Sequence, residues 1–151
     1  MGSPPLFYKW SSTLVPWLCG FAMISLCLGL YWGMFIAPTD YKQGDVYRIL
    51  FIHVPSAILG QSIFMFMAIC GFINVIWRAK ISGMMLKSAT PIGMSFTLLA
   101  LVTGSIWGKP TWGTWWVWDA RLTSTLILFF IYAALLGCLL YTSDAADEVV
   151  S

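Results

Sequence analysis

The sequence predicts an all-α, multi-pass transmembrane helical bundle with four spans, and three observations carry that prediction. Only 9% of the 151 residues are charged, against 60% hydrophobic, whereas soluble globular chains carry about 25% charged residues. A surface so poor in charge needs lipid around it. The charged residues and the single histidine leave four stretches free of both, 10–39, 54–77, 88–108 and 122–143. Each can cross the hydrocarbon core once, since about 20 apolar residues suffice. Finally, these runs are apolar on every side, whereas barrel strands alternate apolar and polar over about ten residues.

The spans are expected at about 14–37, 54–77, 88–108 and 122–141, inside one integral-membrane domain over 1–140. The first run outlasts the 7 to 15 residues of a signal-peptide core and ends without an A-x-A-like site, so it reads as a retained span. Connectors then fall at 40–53, 78–87 and 109–121. The first and third share one side of the membrane; the second shares the other with both termini. The positive-inside rule does not orient the chain, because Lys9, Arg78, Lys80 and Lys87 oppose Lys42, Arg48, Lys109 and Arg121. The last residues, 142–151, turn abruptly small and acidic and read as a disordered tail. Gly29–Gly33 and Gly104–Gly108 are small-x-x-x-small patterns that let helices approach closely, although 13 glycines can supply both by chance.

Several function classes fall away. A net charge of +2 without a clustered basic face argues against nucleic acid. The four cysteines, Cys19, Cys27, Cys70 and Cys138, sit inside apolar runs without C-x-x-C, C-x-x-C-H or zinc spacing, so they read as small hydrophobes. No spacing implies a Ser/His/Asp or Cys/His grouping, and no phosphate-cradling glycine loop is present. Gln61, Asn74 and Thr97 are the modest mid-span polar candidates, and they are expected to bond between helices.

Chemistry concentrates in the third connector, Trp107-Gly-Lys-Pro-Thr-Trp112-Gly-Thr-Trp115-Trp116-Val-Trp118-Asp119-Ala-Arg121, which holds five of the nine tryptophans. An aromatic belt at the headgroup level explains one or two indoles per helix end; five in one connector exceed that need. If helical, Trp112, Trp115, Trp116 and Asp119 fall at i, i+3, i+4 and i+7 on one face. Three indoles would make a flat apolar platform suited to a planar aromatic ligand. Gly108, Pro110 and Gly113 argue that its first part is irregular.

The lone histidine, His53, lies on the same side of the membrane as these tryptophans. Pro55 suits the first turn of the second helix, which places His53 just ahead of a helix N-terminus, where the macrodipole disfavours a positive charge. Neutral imidazole offers a lone pair to a metal, and haem iron commonly takes an axial histidine. Composition alone is served as simply by an interfacial histidine bonded to backbone or headgroup. Lys42, Arg48, Lys109 and Arg121 share that side and would partner the carboxylates of a porphyrin or contact headgroups as snorkelling cations. Asp119 is read either as an interfacial ion pair with Arg121 or as an acid orienting an indole N–H.

The run from Trp107 to Ser124 closely resembles the tryptophan-rich WWD signature of membrane haem-handling proteins, in the form carried by the cytochrome c maturation protein C (haem exporter protein C) family. The upstream run Ala37-Pro-x-Asp-Tyr41-x-Gln-Gly44-x-x-Tyr47-Arg48-Ile-x-x-x-His53-Val-Pro55-x-Ala57 resembles the same family, and together the resemblance covers residues 14–140. It implies a bacterial or organellar inner-membrane protein with the WWD segment facing the periplasm. It implies non-covalent haem b, presented on Trp112, Trp115, Trp116, Trp118 and Asp119, with Arg48 and Arg121 as carboxylate partners and His53 as an axial iron ligand. Haem would pass to a periplasmic chaperone, cytochrome c maturation protein E, whose release involves an ABC transporter complex. The family has six spans and a second ligating histidine in a later periplasmic loop. This chain has four spans and one histidine, so it is expected to be a truncated or frameshifted form whose sixth iron ligand comes from elsewhere or is absent. No bond in haem need be made, so a delivery protein is expected, not an enzyme. The related haem lyase component would be much longer. The alternative from another class is a scaffold or transporter subunit whose tryptophans only anchor helices.

Overall fold

The computed structural model describes residues 4–150, with side chains over 5–141; the side chains of the acidic tail lie outside them. The molecule is all-α, with four apolar helices of membrane-spanning length among the described residues. They are α1 (Pro4–Tyr31), α2 (Leu50–Trp77), α3 (Lys80–Trp112) and α4 (Ala120–Val150). The chain divides into two compact units, one ending at Ile52 and the other beginning at His53.

In the first unit α1 runs into a π-helical turn, Trp32–Ile36. Ala37 then leaves the helix with φ −57° and ψ 133°, the extended conformation that a residue before proline prefers. Asp40 organises the loop that follows: its carboxylate accepts from Lys42 N at 2.9 Å and Gln43 N at 2.8 Å. Gly44 closes an isolated bridge to Asp40 with φ +59°. A 3-10 turn, Asp45–Ile49, leads into α2. Arg48 Nη1 donates to the carbonyls of Gly33 and Met34 at 3.2 and 2.9 Å, satisfying acceptors at the π-turn that the helix itself cannot reach.

The second unit is held by α3. Thr90, Gly93, Thr97, Ala100 and Gly104 recur every three or four residues, a seam of small side chains along one face. Thr90, Gly93, Thr97 and Ala100 on it are buried. Lipid tails are as apolar as leucine, so helices associate in a bilayer through close packing rather than hydrophobic exclusion. The seam permits that closeness. A Cβ at Gly60 of α2 would lie 2.7 Å from Thr97 Oγ1, and one at Gly93 would collide with the hydroxyl of Tyr132 on α4. Tyr132 is fully buried; its hydroxyl donates to Gly60 O at 2.8 Å, and its ring meets Phe64 edge-on. One phenol therefore joins all three helices. The buried threonines of α3 return their protons to their own helix, Thr90 to Leu86 O and Thr97 to Gly93 O, each at 2.8 Å. Thr97 thus bonds within α3, not between helices as the sequence suggested.

The helices outrun the charge-free runs, and the connectors shrink accordingly. Nothing between Lys80 and Lys87 breaks a helix, so both lysines sit on α3, where their stems can snorkel. The α2–α3 connector is reduced to Arg78 and Ala79, and Arg78 takes φ +48° to make the reversal. Pro55, expected in a first turn, lies inside α2 because the helix begins at Leu50.

Gly93→Ala is expected to destabilise the solubilised protein more than Tyr132→Phe. The phenylalanine variant loses one intramembrane hydrogen bond, worth about 0.5–1.5 kcal/mol; the alanine drives a methyl into a ring with no room to retreat, costing about 1–3 kcal/mol. Thermal unfolding in detergent checks the order.

Candidate functional site

The third connector sits between two helix ends that its own residues create. Gly113 terminates α3 in the left-handed conformation, φ +80°, and its N–H reaches back to Lys109 O at 3.0 Å. That is the glycine C-cap pattern. Lys109 adds a bond from its ammonium to Gly113 O at 3.1 Å. Asp119 caps the next helix: Oδ1 accepts from Leu122 N at 2.7 Å, while its carbonyl takes the first helical bond, from Thr123 N. Between them the chain is irregular, steadied by Thr114, whose hydroxyl donates to Trp116 O at 3.0 Å.

This corrects the expected helical face. Residues 108–112 are helical and 113–119 are not, the reverse of the expected division. Pro110 is tolerated in the last turn of α3, whereas Gly113 at positive φ ends it. Trp112, Trp115, Trp116 and Asp119 therefore share no helical stripe. The indoles instead form two pairs. Trp107 and Trp112 lie 6.5 Å apart between ring centroids, tilted by 38°; Trp116 and Trp118 lie 5.6 Å apart, edge to face. Trp115 and Trp118 are 57% and 77% exposed. Trp116 carries a buried Nε1 without a partner among the described residues, a cost of about 1–3 kcal/mol that the packing of its ring must offset.

His53 stands on α2 against α3. Its Nδ1 lies 3.1 Å from Thr103 Oγ1, and its ring meets Trp107 edge-on at 5.7 Å. A Cβ at Gly104 would come within 2.9 Å of His53 Cε1, so only glycine admits the imidazole at this height. His53, Ala57, Gln61, Gly104, Trp107, Trp112, Arg121 and Thr125 line a cavity of about 160 Å³, with Ala100, Leu101 and Leu122 completing the wall. Beside it, Trp112, Val117, Asp119, Arg121 and Leu122 line a more open depression of about 410 Å³. Arg121 belongs to both. Its guanidinium lies 5.5 Å from the centroid of the Trp112 ring and pairs with Asp119 at 3.3 Å. Its side chain is 69% exposed, so the pair adds little stability and the guanidinium can turn to another anion.

The fold thus gathers His53, Trp112, Arg121 and Asp119 at the α2 and α3–α4 corner. It leaves Trp115, Trp116 and Trp118 off the walls of both hollows. Arg48 belongs to the other unit, where it pairs with Asp45 and holds the π-turn carbonyls. Sequence reasoning passed over Thr103, Gly104, Gln61 and Trp107 as site residues. The i, i+4 spacing of Thr103 and Trp107 was the available signal for two of them.

A hollow of about 160 Å³ is below the 300–1,000 Å³ that encloses a drug-sized ligand, so it would take only part of a planar macrocycle, with the His53 imidazole on its wall.

A family model described as "Heme exporter protein C" matches residues 1–149 of the chain. The chain belongs to the haem exporter protein C family. It is 47% identical over 134 residues to Heme exporter protein C of Escherichia coli (strain K12), an alignment covering 89% of this chain and 55% of that protein. The counterpart in Haemophilus influenzae is 43% identical over 141 residues, 93% of this chain and 57% of its own. That of Bradyrhizobium diazoefficiens is 45% identical over 137 residues, 91% and 52%. The chain spans about half the length of these haem exporter protein C relatives.

Removing the Asp119 carboxylate should loosen the start of α4. Asp119→Ala is expected to speed amide exchange at Leu122 and cost about 1 kcal/mol, while Asp119→Asn, which keeps the accepting oxygen, restores protection. Hydrogen exchange in detergent micelles reads the difference.

Proposed function

We propose that this chain binds haem b non-covalently and presents it at the periplasmic face of the inner membrane during cytochrome c maturation. The observation that carries this reading is the meeting of one imidazole, two indoles and one exposed guanidinium around a single hollow, in a chain of the haem exporter protein C family. His53 would supply an axial nitrogen to the iron. Trp107 and Trp112 would take the macrocycle against their rings, and Arg121 would hold a propionate by its fork.

Asp119 acts here as a positioning group, because it fixes the start of α4 and hence where Arg121 stands. Trp115, Trp116 and Trp118 extend the apolar surface beyond the hollow, where a large flat ligand overhangs. A site that leaves one face of its cargo open suits transfer, since a partner can reach the macrocycle without unfolding the donor. The receiving protein is accordingly a periplasmic haem chaperone, cytochrome c maturation protein E, and its release would fall to an ABC transporter complex. The chain would act as a delivery protein rather than an enzyme.

Haem titration of the purified chain in detergent tests the reading. His53→Ala is expected to shift the haem absorption band and weaken binding by more than about ten-fold, since loss of a partner one shell further out already costs 10–100-fold at metal sites. Arg121→Gln is expected to weaken binding by a smaller factor with the band unmoved. A band identical in wild type and His53→Ala would overturn ligation and favour the anchoring alternative, to which the exposure of Trp115 and Trp118 belongs.

A further inference from the structure

The Thr103 hydroxyl has a single proton, and two acceptors of its own helix compete for it. Oγ1 lies 2.7 Å from Leu99 O and 3.3 Å from Ala100 O, the back-bond that buried threonines of helices commonly make. With that proton committed inside α3, Oγ1 faces His53 Nδ1 at 3.1 Å as an acceptor. The contact is then a hydrogen bond only if Nδ1 carries the imidazole proton. A neutral imidazole has one N–H, so Nε2 is left with the lone pair.

We infer that Thr103 is a positioning residue that holds His53 as the Nδ1–H tautomer and so reserves Nε2 for a ligand. Gly104 is the second part of the device. Because a Cβ there would press on Cε1, the glycine lets the ring sit close enough to α3 for the threonine to reach it. Trp107, one turn further along α3, closes the ring in edge-on. Residues 103, 104 and 107 of one helix therefore set the height and orientation of a side chain on another, and the Ala100 carbonyl of the same helix is a second acceptor facing that ring. That Nε2 then meets haem iron rests on the function proposed above; the tautomer itself does not.

The chain contains one histidine, which makes the test direct. The untagged full chain, labelled with 15N-histidine in detergent micelles, is measured without haem by long-range proton–nitrogen correlation at a pH where the ring is neutral. Wild type is expected to show Nδ1 as the protonated nitrogen. Thr103→Val keeps the shape but loses the hydroxyl and its bond to the helix backbone, and it is expected to move the tautomer ratio toward Nε2–H by about five-fold, the factor that one ordinary net hydrogen bond supplies. Thr103→Ser is expected to restore the wild-type spectrum. Gly104→Ala, which pushes the ring off without touching the hydroxyl, is expected to follow Thr103→Val.

A wild-type Nε2–H ring, or a Thr103→Val spectrum like wild type, would overturn the inference. Haem titration of the same samples keeps the two readings apart. If Thr103→Val shifts the tautomer but no variant alters haem binding, the positioning role stands and the haem reading fails. If His53 governs the haem band while the tautomer ignores Thr103, the haem reading stands and this one fails.

Discussion

Everything in the second unit depends on how closely α3 lets its neighbours approach. In lipid no apolar penalty drives helices together, so the energy of association comes from contacts that form only at short range. Gly60, Gly93 and Gly104 are the points where a single methyl group would force α2 or α4 away, by contact with Thr97, Tyr132 and His53 respectively. The first two contacts set the separation of the helices. The third is a consequence of the same closeness, and it places an imidazole against a threonine hydroxyl and an indole edge.

That arrangement changes what the tryptophan-rich segment is for. A helical stripe of indoles would have been a platform standing by itself. The observed segment is an irregular bridge between two capped ends, with Gly113 closing one helix and Asp119 opening the next. Its indoles are dealt out to different neighbours: Trp112 beside Trp107 and Arg121, Trp116 against Trp118, Trp115 outward. The hollow is therefore composite, lined by residues of α2, α3 and α4, with His53 on the same wall as Trp107 and Trp112. The hollow is smaller than its proposed cargo, with Trp107 and Trp112 on its wall.

Much of this was legible in the amino-acid sequence because the bilayer imposes it. Charge-free runs mark spans, since a lysine or aspartate at mid-depth is costly. The ends of the helices were less legible, because helices stop where a cap stops them and not where hydrocarbon does; hence Lys80 and Lys87 lie on α3 and His53 lies inside α2. The caps of the third connector were written in plain terms, glycine after a lysine-bearing turn and aspartate before an apolar run. They were overlooked because the i, i+3, i+4 spacing of the tryptophans offered a competing pattern. The spacing of Thr103 and Trp107 and the small residue at Gly104 are visible in the sequence, but what they meet is not. Their partner is 50 residues away, and only the packing of α2 on α3 brings it near. Arg48 was readable as a cation on the right side of the membrane, but its bonds to the π-turn depend on a helix irregularity that composition does not announce.

Docking of the macrocycle at the hollow between α2, α3 and α4 is the proposal on which the haem reading stands. Paramagnetic broadening of the indole N–H signals by bound ferric haem, with zinc porphyrin as the diamagnetic reference, tests it most directly. Trp77 is the internal standard, because it ends the helix that carries His53, 24 residues and roughly 36 Å further along at 1.5 Å per residue. The account predicts that Trp107 and Trp112 broaden most while Trp77 keeps its width. Equal broadening at Trp77, or none at Trp107 and Trp112, would contradict it.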